Sequence, residues 1–174
     1  APNGKPTNLT EKQWVRVRTK AFRKRCGERA QMARAERIKS LKAETLEPMP
    51  KDKTSKEVYG GLRNGVNKFD GSEVRFFNTA YKKVVKLGGI SERIIATLPK
   101  IFDNAILAYT EQDNRGGIKR KDGTIHKEHP NTTEVRNYVG KVAVDNKEYY
   151  VRFTVNVQKN DKGVHSYFAT DVEL

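Results

Sequence analysis

Two segments near the end of the chain alternate between apolar and polar residues, the pattern of half-buried β-strands. One face of the first segment, 147–157, carries Tyr149, Val151, Phe153, Val155 and Val157. The opposite face carries Tyr150, Arg152, Thr154 and Asn156. After a turn signal at 160–163, residues 164–173 alternate again, with Val164, Phe168 and Val172 expected on the apolar face. The pattern predicts a β-hairpin whose other face gathers Tyr150, Arg152, Thr154, His165, Tyr167 and Asp171.

The first third of the chain has helical signals and then a break. Thr10 and Gln13 form a capping box that opens a helix, and we expect Gly27 to end it. A second helix is expected over about 28–43, with an apolar stripe that packs in a core, formed by Met32, Ala35, Ile38 and Leu41. The prolines and polar residues of 48–55 predict a linker. The chain is thus divided into a basic helical segment (1–47), a linker (48–55) and a folded domain (56–174).

The region 56–174 has the element order of an α+β fold, since helices precede a run of strands. Its predicted strands cover 73–77, 106–110, 134–144, 147–157 and 164–173. Helices are expected to begin at a cap formed by Asn78 and Thr79 and at a cap formed by Ser91, and the second helix is expected to kink or restart at Pro99. Residues 111–132 lack any apolar period and predict a long, basic, flexible loop. The expected architecture is a small helical layer on a mainly antiparallel sheet of four to five strands, preceded by N-terminal helices.

Charge narrows the set of partners. The chain of 174 residues has a formal net charge of +14, which favours polyanions, although the same charge also serves solubility. Cys26 is the single cysteine, so the chain has no intrachain disulfide and no cysteine-built metal site, and a reducing compartment is the simplest fit. No signal-peptide core and no apolar run of the roughly 18–20 residues that cross a bilayer is present. We expect no membrane insertion. We expect the protein to act in the cytoplasm, with delivery into a target bacterial cell as one route to that site.

Four blocks of sequence carry a resemblance to known proteins. NGKPTNL at 3–9, with QW at 13–14 and VRTKAF at 17–22, resembles a motif of the large polyvalent proteins of phages and mobile elements. The blocks FNTAYKKVV (77–85), LPKIFDNA (98–105) and KEYYVRFTV (147–155), with His165 and Ser166 beyond them, resemble the nuclease-like domain that such proteins and polymorphic toxins carry. That domain belongs to the barnase–EndoU–colicin–RelE (BECR) fold group. Many relatives have a Ser-His pair directly after the block that corresponds to 77–85, where this chain has Lys86, Leu87 and Gly88.

The resemblance implies metal-independent RNA cleavage, often of tRNA, on the exposed face of the sheet. Such cleavage uses the 2′-hydroxyl of the substrate as nucleophile and needs proton carriers and cations around the phosphorus. Arg152 is the predicted cation, unless it forms a cross-strand salt bridge with Asp171 or Glu173. His165 is the predicted acid or base. Tyr150 and Tyr167 are predicted to stack on a base or to donate a hydrogen bond to phosphate. Thr154 is predicted to form a hydrogen bond with a phosphate oxygen.

Residues outside the hairpin supply further candidates. Lys119, Arg120 and Lys121 are expected to follow the RNA backbone, and Lys82 and Lys83 to approach the phosphate. His129, and less readily His126, is a candidate partner for His165 in proton transfer. A metal site made of these three histidines lacks supporting carboxylates, and we expect no metal or other cofactor. Ser166 falls on the apolar face in the predicted register, and a one-residue slip or a bulge would move it to the other face.

These observations lead to three hypotheses for function. The first is a metal-independent endoribonuclease of toxin or effector type, which cuts RNA to a 2′,3′-cyclic phosphate, with tRNA as the favoured substrate. The second is a catalytically silent nucleic-acid-binding module of a phage or mobile-element protein. The third is a docking domain recognised by the delivery machinery or by an acidic immunity (antitoxin) protein.

Overall fold

The chain forms two compact units, residues 1–39 and residues 40–174, in a computed structural model. The structure describes residues 20–86, 89–112, 118–126, 132–159 and 165–173. We call 1–39 the N-terminal unit and 40–174 the C-terminal unit. The second unit begins upstream of the linker expected at 48–55.

The described part of the N-terminal unit is one continuous helix, α1 (Lys20–Lys39). The expected break at Gly27 is therefore wrong. A glycine inside a helix costs about 1 kcal/mol relative to alanine, and the many Ala, Arg and Lys residues of α1 offset that cost. The expected core stripe is also wrong, because Met32 is 69% exposed and Ala35 is exposed. The capping box of Thr10 and Gln13 lies outside the described residues.

The C-terminal unit is built on a mixed sheet, which confirms the α+β class. Its strands are β1 (Glu44–Thr45), β2 (Gly65–Val66), β3 (Glu73–Phe76), β4 (Ile106–Gln112), β7 (Thr132–Val144), β8 (Lys147–Lys159) and β9 (His165–Glu173). Their order is β1-β7-β8-β9-β3-β2, and β4 also pairs with β7. Only the β1–β7 and β3–β9 pairs are parallel among the described strands of this sheet. Five of these strands are longer than two residues, in agreement with the expected mainly antiparallel sheet.

Residues 111–132 were expected to form a loop throughout, and the described part of that segment contains additional strands. Strand β4 continues to Gln112, and β5 (Ile118–Lys119) pairs with β6 (Ile125–His126) in a separate two-stranded sheet. Two-residue strands are too short to show a period-2 pattern, which is why the sequence does not reveal them.

Short helices cover one face of the large sheet. They are α2 (Ser55–Gly60), α3 (Asn78–Val85), α4 (Gly89–Arg93), a 3₁₀ turn (Ile95–Thr97) and α5 (Leu98–Asp103). Thr54 caps α2 in a capping box with Glu57. Two expected caps are wrong, since Asn78 is the first residue of α3 rather than its cap and Ser91 lies buried inside α4. The expected restart at Pro99 is confirmed, because Pro99 stands in the first turn of α5.

The predicted alternation in β8 is confirmed by burial over 151–155, whereas Asn156, expected on the opposite face, is buried as well. Val151, Phe153 and Val155 are fully buried, on the side where the helices pack. The ring of Phe102 in α5 lies 5.5 Å from that of Phe153 and 5.0 Å from that of Tyr138 in β7. This core fixes which face of the sheet is turned away from the helices.

The turn between β7 and β8 sets their register. Asp145 and Asn146 both have positive φ angles, 51° and 62°, as a two-residue type I′ turn requires. The Arg93 guanidinium donates two hydrogen bonds to the Asp145 carboxylate, and these hold the pKa of that carboxyl below its usual value. Because a hairpin with this turn has a fixed register, the turn determines which β7 residue faces each residue of β8.

Candidate functional site

A band of polar side chains lies on the sheet face turned away from the helices. Cross-strand pairing in β7 and β8 aligns Asn137 with Thr154, Val139 with Arg152, and Lys141 with Tyr150. Directly opposed residues of an antiparallel pair point to the same side of a sheet. We call this side the polar face, and its described polar residues on β4, β7 and β8 include Tyr109, Glu111, Asn137, Lys141, Glu148, Tyr150, Arg152, Thr154, Asn156 and Gln158.

The polar face is closely packed around its amides. Asn137 is 4% exposed and Asn156 1% exposed. The Thr154 hydroxyl donates to Asn137 Oδ1 over 3.3 Å, which joins the two strands. A buried amide is costly unless it is hydrogen-bonded, so this contact holds the Asn137 side chain in a defined position. Arg152 and Thr154 are half-buried beside them.

Lys141 is the functional candidate that sequence reasoning missed. It is 8% exposed, and its Nζ lies 3.2 Å from Glu148 Oε2 and 5.2 Å from the centre of the Tyr150 ring. A cation over an aromatic ring is attracted by the ring quadrupole. The signal was present in the sequence, because Asn137 and Lys141 alternate with Tyr138 and Val142 along β7.

Two tyrosines stand half-exposed on the polar face. Tyr150 in β8 is 47% exposed, and Tyr109 in β4 is 41% exposed. Tyr109 is opposite Asn137, which in turn is opposite Thr154, so these three form one row across three strands. Tyr150 lies farther along the sheet in the row of Lys141. The polar face therefore presents two aromatic rings to solvent, whereas Asn137, Lys141 and Asn156 on the same face are almost fully buried.

Strand β9 enters the sheet in a different register from the expected one. Thr154 is opposite Asp171 while Val155 is opposite Ala169, so Thr170 is an extra residue in a bulge. Val172 and Asp171, on one side of the bulge, occupy the predicted faces. On the other side of the bulge, the positions 165–169 are in register with the face opposite to the predicted one.

The inversion separates the residues that were expected to act together. Tyr167 is opposite Val157 and His165 is opposite Lys159, which places both in register with the core side rather than with Arg152. The predicted grouping of Arg152 with His165 and Tyr167 is therefore wrong. Ser166 is opposite Gln158 and shares the face of Arg152, as a slip or bulge was expected to produce.

The register also bears on the role of Arg152. Glu173 is the residue directly opposite Arg152, and Asp171 is opposite the neighbouring Thr154. Opposed residues of unlike charge commonly pair across antiparallel strands. The position of Glu173 therefore favours the salt-bridge alternative for Arg152 more than the sequence alone did.

The segment 118–126 forms a small basic hairpin. The Arg120 amide donates to the Thr124 carbonyl over 2.7 Å, and Gly123 supplies the positive φ of 85° that the turn needs. Asp122 accepts from the amide and the hydroxyl of Thr124, and these hydrogen bonds lower the pKa of its carboxyl. Arg120 and Lys121 are exposed at the turn. We call residues 118–126 the basic hairpin.

The other predicted residues fall in different places. The backbone of Lys119 lies in β5 and that of His126 in β6. Lys82 and Lys83 are exposed on α3, in the helical layer on the far side of the sheet from the polar face. His129 lies outside the described residues. The structure thus brings Tyr150, Arg152 and Thr154 together and keeps Lys82 and Lys83 apart from them.

A second polar cluster lies at one end of the core side. The buried Tyr138 hydroxyl donates to Asp70 Oδ2 over 2.8 Å and contacts Ser72 Oγ at 3.0 Å. Burial raises the pKa of Tyr138 to about 12. Arg136 donates to Ser72 and to Glu134. These contacts anchor the segment before β3 to β7, a structural role that the sequence did not indicate.

The described residues contain no group of three or more His, Cys, Asp or Glu side chains placed to hold a metal ion. Among the described helices, none has the length and apolar character needed to cross a membrane.

Comparison with known proteins identifies the family. Residues 51–168, which are 118 of the 174 residues, match the family model described as large polyvalent protein-associated domain 3. No curated protein and no solved structure matches the chain. The match covers β2 to β4, the helical layer, β7, β8 and the start of β9, and therefore includes the whole described polar face of β7 and β8. The chain belongs to the large polyvalent protein-associated domain 3 family, and is thus a domain of the polyvalent proteins of phages and mobile elements.

Proposed function

We propose that the C-terminal unit binds single-stranded RNA on the polar face. The observation that carries this proposal is the pair of half-exposed tyrosines, Tyr109 and Tyr150, on one face of the sheet together with Lys141 and Arg152. Unpaired bases stack on aromatic side chains, and cations nearby attract the phosphates between them. Among the described residues of the helical side, the tyrosines are buried or half-buried.

The basic hairpin supports the same proposal through its charge. Arg120 and Lys121 are exposed, and Asp122 between them and Thr124 is engaged by Thr124. Exposed cations on a projecting turn neutralise phosphates and speed the encounter with a polyanion. The formal charge of +14 acts in the same direction. In this proposal the hairpin follows the backbone and the polar face holds the bases.

The first experiment measures the affinity for a fluorescent single-stranded RNA and for tRNA, in EDTA, by anisotropy. Tyr109→Leu and Tyr150→Leu keep apolar bulk and remove the ring. Loss of one stacked base costs about 1–3 kcal/mol, which is a roughly 5- to 150-fold weaker affinity. The matched control is Phe69→Leu, which removes another exposed aromatic ring, outside the polar face. Unchanged affinity in both tyrosine variants would contradict the proposal.

A second candidate is cleavage of the bound RNA, as in the BECR nucleases that the sequence resembles. The observation that favours it is that Lys141 and Arg152 share one face beside Tyr150. In this reaction the 2′-oxygen attacks phosphorus, the bond to the 5′-oxygen breaks, and a 2′,3′-cyclic phosphate and a 5′-hydroxyl result. Arg152 would stabilise the charge of the phosphorane. The Lys141 ammonium would give a proton to the 5′-oxygen, while the 2′-hydroxyl proton goes to water.

Two features of the register make RNA cleavage a less favoured candidate than RNA binding alone. His165 is in register with the core side, and Glu173 stands opposite Arg152. A catalytically silent binding module needs neither a proton carrier nor an unneutralised guanidinium. The register of β9 is therefore compatible with that hypothesis. In either case, an acidic immunity protein that covers the same cations is the antagonist we would expect.

The cleavage test incubates tRNA and total RNA with the protein in EDTA and analyses the product ends. Cyclic-phosphate ends that disappear in Arg152→Gln and in Lys141→Gln would support cleavage on the polar face. Arg93→Gln is the matched control, since it removes an arginine from an exposed ion pair on the helical side. His165→Ala is expected to retain any cleavage. Intact RNA with every variant, and with the wild-type protein, would leave the binding module.

A further inference from the structure

Helix α1 carries an unusual amount of positive charge for a helix of its length. Its 20 residues contain eight Lys or Arg and two Asp or Glu, a net charge of +6. All described side chains from Gly27 to Arg37 are exposed, and so is Lys24. Like charges this close repel one another, so such a helix gains stability from a polyanion that neutralises them.

The charge is spread round the whole circumference of α1. Lys24, Arg29 and Arg34 follow one another at intervals of five residues, and each interval turns the helix by about 140°. These three exposed cations therefore point in three directions that together surround the helix axis. A helix that lies on a flat surface needs its cations on one side only.

The same distribution argues against other partners. A helix that binds a membrane surface or a partner helix has an apolar stripe along one side. In α1 the apolar residues are scattered, and three of the four positions one turn from Met32, the large apolar side chain in the exposed stretch, are the charged residues Glu28, Arg29 and Glu36. Charge complementarity is thus the feature of this surface that selects a partner.

We propose that α1 binds duplex DNA by lying in the major groove. The major groove of B-form DNA is about 12 Å wide, close to the 10–12 Å diameter of a helix, and has phosphates on both sides. A helix in this groove meets phosphates on opposite sides of its axis, which matches cations placed round its circumference. The major groove of A-form RNA is deep and narrow and does not admit a helix in this way. This inference goes beyond the RNA binding proposed above, because it concerns the N-terminal unit and a different nucleic acid.

The test uses the full chain and a labelled DNA duplex of about two helical turns, roughly 20 base pairs. Affinity is measured by anisotropy in EDTA from about 50 to 200 mM salt, so that the slope of log affinity against log salt gives the number of phosphates neutralised. Lys24→Gln, Arg29→Gln and Arg34→Gln are made singly and together. Glutamine is a good helix former, so α1 is retained, and circular dichroism checks this.

We expect each single variant to reduce the slope by about 0.9 and the triple variant by about 2.7. The matched control removes the same charge from exposed positions of the C-terminal unit, in Lys51→Gln, Lys53→Gln and Lys56→Gln together, and should leave the slope unchanged. A reduction by one of the three single variants alone would overturn the groove geometry. An equal effect of the control variant, or equal affinity for an RNA duplex of the same sequence, would overturn the proposal as a whole. Neither result depends on Tyr109 or Tyr150.

Discussion

Replacement of Gly140 by alanine tests the contact between the helical layer and the sheet, on which the orientation of the polar face depends. A Cβ at this position would lie 2.5 Å from Ile101 Cγ2 and 3.0 Å from the Ile101 carbonyl oxygen. Ordinary contacts of this kind are 3.4–4 Å, so Ile101 would have to move by about 1 Å. The carbonyl belongs to the backbone of α5 and cannot move as a side chain does. Overpacking of this kind lowers the free energy of unfolding by about 1–3 kcal/mol.

The assay is urea unfolding followed by circular dichroism. With a denaturant slope of about 2 kcal/mol per M, the midpoint for Gly140→Ala should fall by about 0.5–1.5 M. Gly61→Ala is the control, because its Cβ would meet the Glu57 carbonyl at an ordinary 3.5 Å and its φ of −96° suits alanine. That variant should be unchanged or stabilised by a few tenths of a kcal/mol, roughly. An unaltered midpoint for Gly140→Ala would refute the close approach of α5 to β7.

Two further predictions concern the buried tyrosines. The Tyr59 hydroxyl is buried without a hydrogen-bond partner among the described residues, whereas that of Tyr138 donates to Asp70 and contacts Ser72. Tyr138→Phe should therefore lower the free energy of unfolding by about 1–2 kcal/mol, and Tyr59→Phe should leave it unchanged or raise it. Thermal unfolding of both variants decides this, and equal losses would contradict it. Burial raises the pKa of Tyr59 and of Tyr138 to about 12, while an unfolded phenol titrates near pH 10. Their contribution to stability is therefore present below about pH 10 and lost between about pH 10 and 12, because the unfolded state releases its protons first. A flat unfolding midpoint across that interval would count against this, and the double variant Tyr59→Phe, Tyr138→Phe should weaken the dependence.

The long strands could be predicted from the sequence because burial on one face leaves a period-2 pattern. Val151, Phe153 and Val155 are spaced by two, and their burial confirms the predicted face of β8. The same rule applied to β7 would have found Lys141. The two-residue strands β1 and β2 depend on backbone pairing with residues elsewhere in the chain, so no local sequence pattern predicts them.

The register of β9 shows what the pattern cannot give. A bulge at Thr170 inserts one residue, and alternation then continues with its faces exchanged. Phe168 and Tyr167 are both aromatic, so the apolar pattern fits either register. For this reason the sequence placed His165 and Tyr167 beside Arg152, and the structure separates them.

The case of α1 concerns a local signal outweighed by its surroundings. Glycine commonly ends a helix, and for this reason the sequence predicts an end at Gly27. The helix continues through it because the neighbouring residues are good helix formers and no side chain crowds the position. The exposure of Met32 then follows from the absence of a continuous apolar side.

The central claim is that RNA lies on the polar face, and photo-crosslinking tests it most directly. Single-stranded RNA that contains 4-thiouridine is bound to the full chain in EDTA and irradiated, and the modified peptides are identified by mass spectrometry. We predict crosslinks at Tyr109 and Tyr150, reduced by Tyr109→Leu and Tyr150→Leu and unaffected by Phe69→Leu. Crosslinks confined to the helices of the opposite side, at 55–60 and 98–103, would contradict the claim.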